Sequence, residues 1–160
     1  MVEGGEDVKF IARRLIILAS EDIGNANPTA LVIANNCFQA VSVIGFPEAR
    51  IILSQCSIYL ASSPKSNTSY KAIGDAQRLV RQTGDLSVPL HLRNAPTDLM
   101  KGLNYGKEYE YSHNQTKNFS EQEYLPSELK NTTLYTPGDN TKENQLRAFL
   151  KTKWKGKYGY

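Results

Sequence analysis

The chain is poor in the residues that carry most metal-binding and nucleophilic chemistry. Its 160 residues include only two cysteines, two histidines and one tryptophan. No apolar run reaches the roughly 20 residues that a membrane-spanning helix needs. The N-terminal sequence MVEGGEDVKF is acidic and does not have the basic and then apolar pattern of a secretory signal. The sequence therefore predicts a cytoplasmic protein with no membrane partner.

The two cysteines give no sign of a metal site or a disulfide framework. Cys37 and Cys56 lie in apolar helical patterns, without Cys-x-x-Cys spacing and without a nearby histidine. We expect both to be buried, reduced thiols. With 40% hydrophobic and 22% charged residues, the composition is that of an ordinary globular chain. A chain of this length can bury roughly two thirds of its unfolded surface in a single core.

A nucleotide-binding motif is also missing. The segment GLNYGK, residues 102–107, has three residues between its glycines, whereas a phosphate-binding loop has four. Glu108 follows it where a serine or threonine would hold magnesium. No apolar strand ending in paired acids supplies a second ATPase motif. We therefore expect this chain to bind no cofactor and to have no catalytic residues and no ATPase activity of its own.

The first 84 residues predict four helices separated by proline and glycine. The second and third helices are apolar around most of their circumference, so they are either central in the core or pressed against a second subunit. The sequence favours central burial. Their candidate core or subunit-contact residues are Phe38, Ile51, Ile52 and Tyr59. The predicted helices run from Val8 to Gly24, from an Asn27 cap to Ile44, from Pro47 to Leu60, and from Ser66 or Asn67 to Gly84.

Residues 85–139 differ from the first 84 in composition. They are rich in tyrosine and asparagine and show little hydrophobic periodicity. They predict loops, a short helix after Pro96, and at most a short β-pair of residues 109–111 with 134–136. A basic C-terminal helix and tail are predicted over residues 140–160: the helix starts at Asn140, with Glu143 three residues on as a capping box, and runs through Trp154. The predicted fold is mainly α: a helical bundle, then a loop-rich segment and a C-terminal helix, within a single domain.

Two charged motifs have structural interpretations. Glu21 and Asp22 fall near the end of the first predicted helix, where negative charge is unfavourable without a partner. We expect a buried ion pair with Arg13, Arg14 or Arg93. The loop between Pro89 and Pro96 contains His91, Arg93 and Asn94, which we expect to hold the loop through their polar groups, with His91 donating to a loop carbonyl.

Basic residues gather toward the C-terminus. Residues 142–160 contain six lysines and arginines and one glutamate, a net charge of +5. Because the whole chain has a net charge of +3, the remaining residues have a net charge of −2. Lysines next to aromatic rings suit single-stranded DNA, because they attract phosphates while the rings stack on bases. The alternative is a solvated helix end; Lys71 and Asp75 are also spaced to pair with each other. Candidate DNA-binding residues are Lys65, Lys71, Arg78, Arg81, Lys151, Lys153, Trp154, Lys155, Lys157 and Tyr158.

Several segments together carry a family resemblance. They are GGEDVKFIARRLIILASEDIG, GFPEARIILSQCSIYLASSPKSN and VPLHLRNAPTDLMKGLNYGKEYEYSH, starting at residues 4, 45 and 88. Nearly the whole chain resembles the C-terminal region of the RarA/MgsA family of AAA+ ATPases. These are replication-associated recombination proteins related to the Werner-helicase-interacting ATPase. The match is weak after about residue 132.

The resemblance implies a clamp-loader-like helical collar that assembles into a homotetramer. In that family the complete protein is a DNA-dependent ATPase of stalled or damaged replication forks, associated with single-strand-binding protein and with the nucleoid. ATP and magnesium then belong to an ATPase core that precedes this region, and none of its site residues has a counterpart here. The chain differs from relatives in segments such as VIANNCFQAV, where alanines are often replaced by Asn, Cys or Ile.

Overall fold

The structure, a computed structural model, describes residues 1–160. It contains six α-helices and short 3₁₀ turns but no strand, which confirms the mainly α fold. The chain divides into two compact units, residues 1–74 with 135–147 and residues 75–134 with 148–160. The helices are α1 (Val8–Leu18), α2 (Thr29–Ile44), α3 (Ala49–Ala61), α4 (Thr68–Thr83), α5 (Asp98–Gly102) and α6 (Thr141–Trp154).

Small side chains dominate the core of the first unit, in which α1, α2 and α3 pack together. Ala12, Ala30, Ala34 and Ala49 are fully buried, which lets the helix backbones approach closely. Ile23 and Leu60 are the largest of the fully buried side chains. Outside this unit no such core of buried apolar side chains forms.

The two cysteines behave as the sequence predicted. Cys37 of α2 and Cys56 of α3 are both buried and free. Burial raises the pKa of the Cys56 thiol to about 12, and the neighbouring Cys37 adds to the increase. Both thiols are therefore protonated at neutral pH and act as small apolar core residues.

The start of α2 differs from the prediction. Asn27 was expected to cap this helix, but α2 begins at Thr29 and has no side-chain cap. The Asn27 side chain instead donates to the Tyr59 hydroxyl and to Ser63 Oγ, both at 3.0 Å. The cap prediction is wrong because the Asn27 side chain bonds to α3 and to a residue just after α3. Pro47 likewise precedes α3, which begins at Ala49.

The preference for central burial of α2 and α3 is also wrong. Each helix buries one line of residues and leaves apolar side chains on its other side exposed. Val32 is 58% exposed, Val43 86% and Ile58 67%. Periodicity identified these segments as helices, but their uniformly apolar composition hid which side faces the core.

A π-helical turn, Ala19–Ile23, follows α1 directly and ends at Gly24. It carries Glu21 and Asp22 on the surface, where neither carboxylate forms an ion pair. The predicted buried ion pair is therefore wrong. Its candidate partners Arg13 and Arg14 are exposed on α1, and Arg93 belongs to the second unit.

The predicted β-pair is absent, and a side chain satisfies the backbone of Glu110, the middle residue of its expected first strand. The Gln122 amide accepts from the Glu110 backbone N–H at 3.4 Å and donates to the Glu110 carbonyl at 3.0 Å. Those are the groups that a neighbouring strand would have bonded. The short helix after Pro96 does form, as α5, and its N-cap Thr97 accepts from the Met100 N–H.

Half of the predicted capping box of the last helix forms: Asn140 caps the helix, but the Glu143 carboxylate accepts from the Asn140 side-chain amide and not from its backbone N–H. The Glu143 backbone N–H donates to Asn140 Oδ1 at 3.0 Å, in the N-cap to N3 arrangement. Arg147 donates to the carbonyls of Pro137 and Gly138, which ties the segment before the helix to its second turn. None of the six helices combines the length and apolarity that crossing a bilayer requires.

Candidate assembly and nucleic-acid surfaces

The outer face of α2 is uncharged. Its 16-residue sequence, TALVIANNCFQAVSVI, contains no acidic or basic residue. Buried Ala30, Ala34 and Val41 line one side. At about 100° per residue, Val32 and Val43 lie on the opposite side of the helix, with amide side chains between them. The exposed side of a 16-residue helix normally contains charged residues when it faces only water, so the lack of charge on this side of α2 is unusual.

The outer face of α3 has the same character. Ile51, 57% exposed, and Ile58 are seven residues apart and lie opposite the buried line of Ala49, Leu53 and Cys56. Arg50 is the only charged residue in the helix. We call the exposed sides of α2 and α3 the outer faces; they contain Val32, Val43, Ile51 and Ile58.

Of the four predicted contact residues, only Ile51 is on an outer face. Phe38, Ile52 and Tyr59 are partly buried and pack against the core of the first unit. Val32, Val43 and Ile58 were missed as contact candidates. They lie on the sides of α2 and α3 opposite the small buried residues Ala30 and Ala49, and small residues mark the close-packed side of a helix.

The aromatic residues of the tail pack on one another. Trp154 makes edge-to-face contacts with Phe119 at 4.8 Å and with Tyr158 at 4.9 Å between ring centroids. Tyr160 lies beside Tyr158 at 6.4 Å. Such pairs stabilise the fold beyond the area that they bury. Trp154 and Tyr158 thus have ring partners within the second unit.

Most lysines of the tail also have partners there. Lys153 donates to the Lys117 carbonyl at 3.1 Å and lies over the Phe119 ring. Lys155 pairs with Glu121 at 2.5 Å. Lys157 lies over the rings of Trp154 and Tyr158.

Glu123 is the polar centre of this cluster. Its Oε1 accepts from the Tyr158 hydroxyl and from two backbone N–H groups, while Oε2 lies 3.1 Å from Lys157 Nζ, an ion pair without hydrogen-bond geometry. Burial alone would raise the pKa of Glu123, but the lysine and these donors outweigh it and the pKa is lowered. The pKa of Lys157 is raised, since the effect of Glu123 and Tyr158 exceeds that of burial.

Four of the candidate DNA-binding cations have neither an acidic partner nor any other side-chain hydrogen bond or ring contact. They are exposed and form no ion pair, and Lys65 and Lys71 belong to the first unit whereas Arg81 and Lys151 belong to the second. Arg78, by contrast, pairs with Asp75 one turn before it. The predicted pairing of Asp75 with Lys71 is therefore wrong.

The loop between Pro89 and Pro96 is held by its own polar groups. His91 Nε2 lies 2.8 Å from the Glu123 carbonyl oxygen. Arg93 Nε donates to the Val88 carbonyl at 2.7 Å, while the guanidinium lies over the Tyr105 ring and donates to its hydroxyl. Asn94 is exposed. No group of three or more His, Cys, Asp or Glu side chains is arranged to hold a metal ion.

Glu143 is a fully buried carboxylate that the sequence identified only as a cap. Its Oε1 accepts from the Thr68 hydroxyl at 2.6 Å and from the Tyr135 hydroxyl at 3.0 Å, and its Oε2 accepts from the Asn140 amide at 2.6 Å. Burial raises its pKa, but hydrogen bonds from Ser66, Thr68 and their neighbours outweigh this and hold the pKa at about 2. The carboxylate fastens α4 to α6 within the first unit.

Comparison with known proteins agrees with the resemblance in the sequence. The family model described as MgsA AAA+ ATPase C terminal matches residues 1–154. Two proteins named replication-associated recombination protein A, from Coxiella burnetii and Haemophilus influenzae, are 42% and 41% identical over 151 residues, 94% of this chain. ATPase WRNIP1 of Dictyostelium discoideum is 38% identical over 136 residues, 84% of this chain and 16% of its own length. The chain spans about a third of the two bacterial relatives, 34% of each.

Proposed function

Because this chain belongs to the MgsA family of AAA+ ATPases and corresponds to its C-terminal region, we propose that it is the self-assembly module of such an ATPase. The outer faces of α2 and α3 are the contact surface. The observation that carries the proposal is the complete absence of charge from the 16-residue helix α2, whose outer face is exposed. The buried centres of subunit interfaces are depleted in charge in the same way.

The cellular process in which we place this assembly is taken from the names of the relatives. Proteins similar to this chain are named for replication-associated recombination, so the proposed assembly works in DNA replication and recombination. A homotetramer and a role in repair at stalled forks are part of the proposal that follows from the family resemblance and not from these names. ATP and magnesium then act in the ATPase part of the longer relatives, and this region has no catalytic role. The same proposal includes single-strand-binding protein as a partner, a cytoplasmic and nucleoid location, and a single C-terminal domain over residues 1–160.

Single-stranded DNA binding is the second candidate function. The observation in its favour is the set of four exposed, unpaired cations Lys65, Lys71, Arg81 and Lys151. Base stacking has less support, because the rings of Trp154 and Tyr158 are engaged with each other and with Phe119. The expected contact is thus mainly with phosphates, independent of sequence.

The test of assembly is the mass of the chain by multi-angle light scattering over a dilution series. We expect a mass above 17.9 kDa that persists on dilution. The variants Val43→Asp and Ile58→Asp should shift the equilibrium toward the monomer, since each buries a carboxylate in an apolar contact. Because both side chains are exposed in the isolated chain, the substitutions should change the intrinsic stability of the folded monomer by no more than about 0.5 kcal/mol, so any larger decrease in stability to urea reports the lost association.

The matched control is Leu99→Asp, an equally drastic change at a residue of the second unit that is 75% exposed. Its mass should equal that of the unsubstituted chain. A 17.9 kDa monomer at every concentration, or equal dissociation by Leu99→Asp, would contradict the proposed surface. Ile52→Asp is a poorer probe because Ile52 packs against the core and its loss would also affect folding.

A further inference from the structure

A cleft in the second unit is bordered by two exposed tyrosines. It has a volume of about 450 Å³, within the range of about 300–1,000 Å³ that is usual for ligand sites. Tyr109 is 50% exposed and Tyr124 43%, and neither ring packs on another aromatic ring or on a cation. We call it the tyrosine cleft; its other lining residues are residues 91–95 and Gly106.

Hydrogen bonds hold the backbone of both tyrosines in place. The Gly106 N–H donates to the Leu90 carbonyl at 2.9 Å, and the Tyr109 N–H donates to the Gly106 carbonyl at 3.3 Å. On the other side of the cleft, Glu123 Oε1 accepts from the Tyr124 N–H at 3.1 Å. The cleft is therefore formed before any ligand enters it, which lowers the entropy cost of binding.

The lining of the cleft favours an anion. Arg93 is its only permanently charged residue, and no carboxylate is among the lining residues. Glu108 and Glu110 flank Tyr109 in sequence but do not line the cleft. Arg93 Nε and Nη1 donate to neighbouring groups of the second unit, which leaves Nη2 without a protein partner. The guanidinium is thus fixed in position and still able to donate to a phosphate.

The cleft also has a free amide. The Asn94 side chain is exposed and forms no hydrogen bond within the protein, so it can both donate and accept, as the edge of a nucleobase requires. Exposed aromatic rings beside a basic group are the combination with which proteins hold single-stranded nucleic acid, because rings stack on bases while cations attract phosphates. The lining therefore suits a nucleotide better than an apolar side chain.

We infer that the tyrosine cleft receives an unstacked base of single-stranded DNA. The base stacks against the rings of Tyr109 and Tyr124, and the phosphate next to it meets Arg93 Nη2. The inference rests on the second candidate function, single-stranded DNA binding, and adds to it a stacking site other than the rings of the tail. Because every base has a π-face, the site should accept all four bases.

The probes are two labelled oligonucleotides of equal length and charge, one of thymidines and one of abasic sites, measured by fluorescence anisotropy with the 160-residue chain. The thymidine chain should bind about tenfold more tightly, since only its bases can stack. Tyr109→Ala and Tyr124→Ala should each weaken its binding about fivefold and leave the affinity for the abasic chain unchanged. Tyr109→Phe keeps the ring and should retain the affinity.

The matched control is Tyr111→Ala. Tyr111 is 54% exposed, close to the values of the two cleft tyrosines, but it does not line the cleft and lies beside the His113 ring. Its replacement should leave both affinities unchanged. Thermal unfolding followed by circular dichroism verifies that each variant is folded.

The outcomes separate the inference from the function on which it rests. If neither oligonucleotide binds, the second candidate function and the inference both fail. Equal and salt-dependent affinities for the two oligonucleotides would leave phosphate binding in place and overturn the inference alone. So would thymidine binding that both cleft variants leave unchanged, or that Tyr111→Ala weakens equally. A Tyr109→Ala chain that changes only its oligomeric mass would also overturn it, because the cleft would then be a subunit contact.

Discussion

At the residue scale, the side chain with the most partners in the first unit is Glu143. A carboxylate with no exposed surface is costly unless its oxygens are hydrogen-bonded. Here the donors come from Thr68, Tyr135 and Asn140, and no cation is paired with it. The charge is stabilised by oriented neutral donors, which also keep its pKa near 2.

This arrangement predicts a dependence of stability on pH. The folded pKa of Glu143, about 2, is below the ordinary value of 4.5. The group therefore contributes stability that is fully present above about pH 4.5 and is lost as pH falls toward 2, a loss of about 3 kcal/mol. Urea unfolding from pH 2 to pH 6 should show this decline for the unsubstituted chain.

The matched variant is Glu143→Gln. At pH 6 it should unfold with about 2 kcal/mol less free energy, because a neutral amide accepts weaker hydrogen bonds than a carboxylate. Its stability should also fall less steeply between pH 4.5 and pH 2. Equal pH profiles for the two chains would show that the carboxylate is not charged in the folded state.

The sequence predicted one half of this site and not the other. Asn140 and Glu143 are three residues apart, so local spacing indicated the capping box. Thr68 is 75 positions away, and no local pattern pairs it with the carboxylate. The prediction that Asn27 caps α2 failed because its side chain bonds to Tyr59, which is distant in sequence, and not to the start of the helix.

At the element scale, helix positions were predictable and helix environments were not. Periodicity and punctuation by glycine and proline located α1 to α4 and α6 to within a few residues. An apolar pattern cannot distinguish a core from a surface that is covered only in an assembly. That is why the apolar pattern of α2 and α3 predicts burial of faces that the structure leaves exposed.

Helix α1 offers a test of local capping. Asp7 is its N-cap, and the side chain accepts from the Phe10 N–H at 2.8 Å. Asp7→Ala should lower the free energy of unfolding by about 1 kcal/mol, because that N–H loses its partner. Asp7→Asn should restore most of the loss, as asparagine is an equally good N-cap. Urea titration at pH 7 measures both; an unchanged midpoint for Asp7→Ala would show that the bond contributes nothing.

At the scale of the whole molecule, electrostatics predicts how DNA binding would respond to salt. The exposed cations Arg81 and Lys151 belong to the second unit and have no acidic partner. If they contact phosphates, Arg81→Gln and Lys151→Gln should each reduce the slope of log affinity against log salt by about 0.7 for single strands. Fluorescence anisotropy with a labelled oligothymidine measures that slope.

Lys155→Gln is the control, because Lys155 already pairs with Glu121 and should alter the slope less. A binding affinity that does not depend on salt would remove the DNA proposal. Deletion of residues 151–160 is less informative, since it also removes Trp154 and Tyr158 from the aromatic cluster and so disturbs the fold of the second unit.

The interleaved path of the chain has a consequence for its synthesis. The first unit needs residues 135–147, and Glu143 among them bonds to Thr68. The ribosome must therefore add 73 residues after Gly74 before that unit can close, which takes about 4–15 s at about 5–20 residues per second. During that interval α1 to α3 are already complete in sequence but lack Glu143. Nascent chains are thus exposed to chaperones and proteases in a way that the finished protein is not.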